Sequence, residues 1–227
     1  MRAHLLMLAD SRLPAGGHAH SGGLEPAVTA GAVASVADLA DFLHGRLHTA
    51  GLVASALAAA ACAHAPGGAD WSGLDAEADA RTPSPAQRTA SRAQGKSLLR
   101  AARATWPHPV LDGLRVPVPA GAPRAPHHPL VLGAAAHAIG CAPLDAASVA
   151  AYGAVTGPAS AAVRLLGLDP MAVQRALAEL AGDVDEVARE AAAHAEKDWA
   201  ELPAVSAPAL DLWAEEHLRA DLRLFES

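Results

Sequence analysis

The chain has 227 residues, enough for one sizeable core and a single domain. Hydrophobic residues make up 52% but aromatics only 3%, so alanine, leucine and valine carry the apolar content and an all-helical protein is expected rather than a sheet. The net charge of −7 hides two blocks, eight bases against one acid from Arg81 to Arg124 and fourteen acids against five bases from Asp169 onward. That separation suits oriented assembly, while the acidic half and the lack of interleaved aromatics argue against nucleic acid.

In chain order, Leu5 to Leu8 open a short apolar helix, followed by a turn at Pro14, Gly16 and Gly17. His18 and His20 then stand between paired glycines, and Leu24-Glu25 starts the next helix. Ser35-x-x-Asp38 has the spacing of a capping box. Apolar residues at 36, 40, 43, 47, 50, 54, 57 and 61 continue a helical stripe to about His64, where Pro66-Gly67-Gly68 ends it. Residues Leu47 to Ala69 carry no Asp, Glu, Lys or Arg, as a membrane span would. Their histidines, glycines and abundant alanine read instead as a buried helix.

A short helix is predicted for Trp71 to Ala80, and Ser84 or Pro85 opens another that runs to Thr105. Seven prolines from Pro107 to Pro129 predict a long, irregular, mobile loop. Helix resumes after Pro129 to about Ile139, and Pro143 to Leu166 reads as a helix kinked or split at Gly157-Pro158. Asp169-Pro170 caps a helix ending at Gly182, and Asp183 to about Glu201 is amphipathic and acidic. Pro203 and Pro208 fence off a last segment, helical from Leu210 to Leu222. The expected architecture is all-α: a single-domain helical bundle over residues 1–227, of about eight to ten helices with no sheet. Residues 208–227 form its C-terminal docking tail.

Cys62 and Cys141 lack CxxC spacing and read as buried thiols in a reducing cytoplasm, and no export signal opens the chain. Twelve histidines invite a metal reading. His44 and His48 lie one helical turn apart, but no HExxH motif or carboxylate partner accompanies them, so they take structural or surface roles and no closed metal site is expected. His18 and His20, in a glycine-rich turn that opens a helix, can contact a partner or a passing ion. Catalysis finds no support. Ser21 is not in a Gly-x-Ser-x-Gly elbow, and Gly95-Lys96-Ser97 has Ala90 where a phosphate loop needs glycine. No cofactor is expected. Arg88, Arg92 and Lys96 recur at four-residue spacing on one helix face, which is either a solvated face or a docking surface.

The opening Leu5-Leu6-Met7-Leu8-Ala9-Asp10-Ser11-Arg12-Leu13-Pro14-Ala15-Gly16-Gly17-His18-Ala19-His20-Ser21-Gly22-Gly23-Leu24-Glu25 resembles that of the urease accessory protein F family. The end, Pro208-Ala209-Leu210-Asp211-Leu212, His217 and Arg223-Leu224-Phe225-Glu226-Ser227, resembles that family's end as well. The basic helix ending Leu98-Leu99-Arg100, the block from His128 to Gly140 and the run Ala161 to Leu165 are similar to further family blocks. Gly167-Leu168-Asp169-Pro170 departs from the family's usual Pro-Leu-Gly-Gln, and the proline-rich stretch is longer than usual.

The resemblance implies a dimeric, non-enzymatic, cytoplasmic adaptor in nickel insertion that binds accessory protein H (also called D), the accessory GTPase G and apo-urease. Partner contacts are then expected at His18, His20, Ser21 and Glu25, at Arg88, Arg92 and Lys96, and at His217, Arg223, Leu224 and Phe225. Phe225 reads as a partner anchor, with core packing as the other reading. The alternative function is a helical, histidine-bearing protein that carries nickel itself.

Overall fold

A computed structural model of the chain describes residues 2–68, 70–116, 124–220 and 223–225. The fold is all-α. Among the described residues there is no sheet, only an isolated bridge between Val116 and Arg124. Its helices are α1 (Arg2–Ala9), α2 (Leu24–Thr29), α3 (Val36–Arg46), α4 (Leu52–His64), α5 (Trp71–Ala80) and α6 (Pro85–Thr105). There follow α7 (Pro109–Gly113), α8 (His128–Ala138), α9 (Pro143–Leu166), α10 (Pro170–Glu179), α11 (Ala181–Ala192) and α12 (Pro208–Leu218).

Local sequence signals account for many of the boundaries. Ser35 and Asp38 form the reciprocal capping box of α3, with the Ser35 hydroxyl accepting from Asp38 N–H at 3.2 Å and the Asp38 carboxylate accepting from Ser35 N–H at 2.9 Å. Ser84 caps α6, with Pro85 at its first position. Asp70 and Asp169 cap α5 and α10 in the same way. The long apolar helix runs through one π turn, Leu47–Gly51, that joins α3 to α4.

The centre of the bundle is α4, on which α8, α9 and α11 pack. Ala56 and Ala58 to Ala61 are fully buried, and Gly133 of α8 lies so close that a Cβ there would run into the carbonyl of Ala58. Small residues thus set the helix spacing. The continuous helix from Val36 to Gly67 is long and apolar enough by composition to cross a membrane, yet most of its apolar stretch is buried inside the fold. Cys62 and Cys141 are free, buried thiols. Cys62 Sγ lies 3.5 Å from the Cys141 carbonyl, and burial pushes its thiol up to about 12.

Four expectations need correction. Of the two alternatives at Gly157-Pro158, a kink or a split, the split does not occur, since α9 is one helix of 24 residues. Proline cannot donate to the carbonyl four residues back, that of Ala154, but Arg46 Nε donates to it instead at 3.1 Å. The proline-rich stretch is not irregular throughout. Pro109 occupies the first position of α7, where its missing N–H costs nothing, and Leu111, Leu114 and Val116 are buried. Residues 117–123, within the expected mobile loop, lie outside the described residues. Finally, the acidic helix from Asp183 ends at Ala192 rather than near Glu201, and the last helix ends at Leu218 rather than Leu222.

Candidate partner-binding site

The fold brings the two ends of the chain together. Gly22 and Gly23 have φ of 62° and 88°, a region other residues rarely adopt, and side chains there would meet Pro158 and Leu210. This lays the histidine-bearing loop between α9 and α12. Ser21 is fully buried, and its hydroxyl accepts from the N–H of Glu25 at 3.2 Å, serving one open donor at the start of α2. Glu25 is itself buried, and its carboxylate accepts the N–H groups of Leu224 at 2.8 Å and Phe225 at 2.9 Å. His217 Nε2 lies 3.1 Å from the Phe225 carbonyl, which can only accept, so this nitrogen carries the proton. It is also 3.4 Å from Glu25 Oε2. The Arg164 guanidinium lies 4.3 Å over the Phe225 ring and donates to the His18 carbonyl at 3.1 Å.

The tail is therefore not separated from the bundle by Pro203 and Pro208. Phe225 is only 6% exposed and joins the core, which is the second of its two readings, and it reaches His217 by a chain reversal rather than along one helix face. Glu215 of α12 fixes the tail further. Its carboxylate accepts from the Ser84 hydroxyl at 2.5 Å and from Ala86 N–H at 2.9 Å, and the Ser84 bond leads the causes that hold it below its usual carboxylate range. What the tail leaves outside is Leu224, 77% exposed, and Arg223 beside it, with His18 exposed and His20 half-buried on the neighbouring loop.

The basic face of α6 divides. Lys96 is exposed and Arg88 half-buried, with Arg88 Nη1 donating to the Asp79 carbonyl at 3.3 Å. Arg92 is no surface residue. Its side chain is 13% exposed and forks onto Asp75 at 3.1 and 2.8 Å, onto Asp79 at 2.9 Å and onto the Ala125 carbonyl at 2.8 Å. Burial pulls the His127 imidazole below its ordinary value, so it is neutral at neutral pH. Its Nε2–H donates to Asp79 at 2.9 Å, while Nδ1 accepts from the Ser91 hydroxyl at 3.0 Å. Burial would raise the Asp79 carboxyl, but the bonds from His127 and Arg92 outweigh it and hold it low.

Arg81 and Arg103 are likewise engaged with backbone carbonyls, Arg81 with those of Trp199, Leu202 and Pro203 and Arg103 with that of Leu111. Much of the basic block is therefore internal wiring. Sequence reasoning did not single out Asp75, Asp79, Arg164 or Glu215, because their partners lie far away in the chain. Nor could it show that Asp183 of α11 stands beside His44 and His48, a carboxylate partner that the spacing alone denied to this pair.

Between the loop, α6 and α12 lies a cavity of about 200 Å³ whose walls include His20, Arg46, Gln94, His128 and Asp211. Burial and then the neighbouring His20 pull His128 down to about 4, and burial pulls Arg46 to about 10. Ser91 and His127, joined by the hydrogen bond described above, also line it.

A family model described as UreF matches residues 33–181. The urease accessory protein UreF of Mycolicibacterium vanbaalenii is 45% identical over 225 residues, covering 99% of this chain and 98% of that protein. The protein of the same name from Mycobacterium sp. (strain JLS) is 46% identical over 98% of this chain and 97% of its own length. That of Mycobacterium marinum is 43% identical over 99% and 98%.

Proposed function

Because the chain belongs to the UreF family of urease accessory proteins, we propose that it joins accessory protein H (also called D), the accessory GTPase G and apo-urease into one assembly. It is a urease maturation factor in the nickel pathway and not an enzyme. As an adaptor it acts by preferring one state of the GTPase, which shifts that state's population without any chemistry of its own. It works in the cytoplasm as a homodimer, a reading supported by its alanine-rich helices and by Leu144 and Tyr152 exposed on α9.

One observation carries the placement of the contacts. The two segments that resemble the family's ends, far apart in the sequence, meet around Glu25 and present His18, Arg223 and Leu224 outward on a fixed base. Exposed side chains on an ordered scaffold lose little freedom when a partner arrives. Lys96 and Arg88 extend the surface along α6.

Co-purification of the full chain with accessory proteins H and G, with and without GTP and nickel, tests this reading. The expected result is a stable complex with H that then retains G in a nucleotide-dependent way. Assembly of H and G at full yield without this chain would overturn it.

A further inference from the structure

The histidine pair that the adaptor role leaves unused sits at a junction of two elements. His44 lies in the last turn of α3 and His48 in the π turn that follows, with ring centroids 4.6 Å apart. Helix α11 packs on that same turn through its apolar face, on which Val187 is fully buried. Asp183 stands four residues before Val187, so it shares the inward face and brings its carboxylate to the pair.

One ligand atom from each of His44, His48 and Asp183 lies within 4.8 Å of the others. Metal bonds of about 2.1 Å in tetrahedral array need ligand atoms about 3.4 Å apart. Side-chain rotations, His44 being exposed and His48 and Asp183 half-buried, would have to bring the three atoms to that spacing. The Nε2 atom of His48 is buried and has no hydrogen-bond partner. His48, in a group of three metal-ligating residues, thus keeps a desolvated ring nitrogen that no protein group satisfies.

The other such group, Asp75, Asp79 and His127, is different, because the Arg92 guanidinium already sits on both of its carboxylates. At the α3–α11 junction no described side chain plays that part.

We infer that His44, His48 and Asp183 form a binding site for one divalent transition-metal ion of the nickel, cobalt or zinc class. Two imidazoles and a single carboxylate favour these ions over calcium or magnesium, which take oxygen ligands. Three protein ligands leave a coordination position open to water, which makes the ion exchangeable rather than sealed in. Bound metal would also tie α11 to the end of α3 and the π turn. The site does not rest on the adaptor reading, and its failure would leave that reading untouched.

The experiment uses the tag-free full chain, stripped with chelator and titrated calorimetrically with Ni²⁺ and, separately, Zn²⁺. One equivalent per chain is expected, with a rise in melting temperature on loading. In His44→Gln and Asp183→Asn, which alter accessible side chains, affinity should fall at least about tenfold. Helicity and the metal-free melting temperature should stay unchanged. Absence of stoichiometric binding would overturn the site. So would full-strength binding in both variants, or binding lost only in His18→Ala/His20→Ala.

Discussion

Arg46 supplies the hydrogen bond that Pro158 takes away. Pro158 lies inside α9 without an N–H, and the carbonyl it leaves open, on Ala154, accepts from Arg46 Nε at 3.1 Å. The guanidinium thereby holds α3 against the middle of α9, and a side chain placed at Gly22 of the histidine loop would meet both Pro158 and Arg46.

The pair should be energetically coupled. Arg46→Leu leaves the Ala154 carbonyl open and should cost about 1–3 kcal/mol in urea unfolding. Pro158→Ala restores the helical donor, so adding it to Arg46→Leu should recover about 1 kcal/mol of that loss beyond its effect in the native background. Additive effects of the two changes would show that Arg46 stabilises the fold by other contacts.

Arg92 and Lys96 occupy adjacent turns of one helix face and should behave oppositely. Arg92→Ala leaves Asp75, 1% exposed, as an uncompensated buried charge, and should destabilise by about 3–5 kcal/mol. Lys96→Glu changes an exposed side chain and should alter stability by less than about 0.5 kcal/mol. If Lys96 contributes to docking, its reversal should still weaken co-purification with a partner, most clearly at low salt. Chemical denaturation and pull-down on the same two variants separate the roles.

This division marks how far the sequence can be read. Ser35, Ser84, Asp169 and their following residues fix helix starts by local hydrogen bonding, so α3, α6 and α10 were legible, and the α5 limits coincide with the predicted ones. The basic face of α6 was legible as a pattern, but its meaning depends on Asp75 and Asp79, which only tertiary folding brings to Arg92. The same holds for Pro158, whose disruptive tendency is offset by an arginine 112 positions earlier. Pro109 misled because a proline that excludes helix interior is well suited to a first turn. The ends of the chain were recognisable as segments, yet nothing local announced that Glu25 would close on Phe225.

Acid should weaken the fold before most carboxylates titrate. His127 and His128 both have folded values lowered by burial, with His128 at about 4 against an ordinary 6.5. Below pH 6.5 the unfolded chain binds protons that the folded chain refuses, so stability is full above that pH and falls as pH drops toward 4. The drop attributable to His128 should be on the order of 2 kcal/mol across that window. In His128→Gln the slope of unfolding free energy against pH between 6.5 and 4 should be shallower. An unchanged slope would place the acid sensitivity elsewhere.

The tail permits a test in which stability and docking part company. Deleting residues 217–227 would remove buried His217 and Phe225 together with the exposed groups, so lost binding after that deletion would not distinguish a handle from a structural strap. Single changes do. Glu25→Ala orphans the N–H groups of Leu224 and Phe225, each held by a carboxylate at 2.8–2.9 Å, and should cost about 2–4 kcal/mol. The melting temperature should fall by several degrees, and the C-terminus should become open to carboxypeptidase. Leu224→Ala and Arg223→Glu touch only exposed side chains and should leave melting within about 0.5 kcal/mol of the native chain. If the clamped tail presents these two residues to accessory protein H, the double variant should lose that complex while staying folded. Retention of the complex by the double variant, with loss only in Glu25→Ala, would make the tail a strap that shapes a surface located elsewhere.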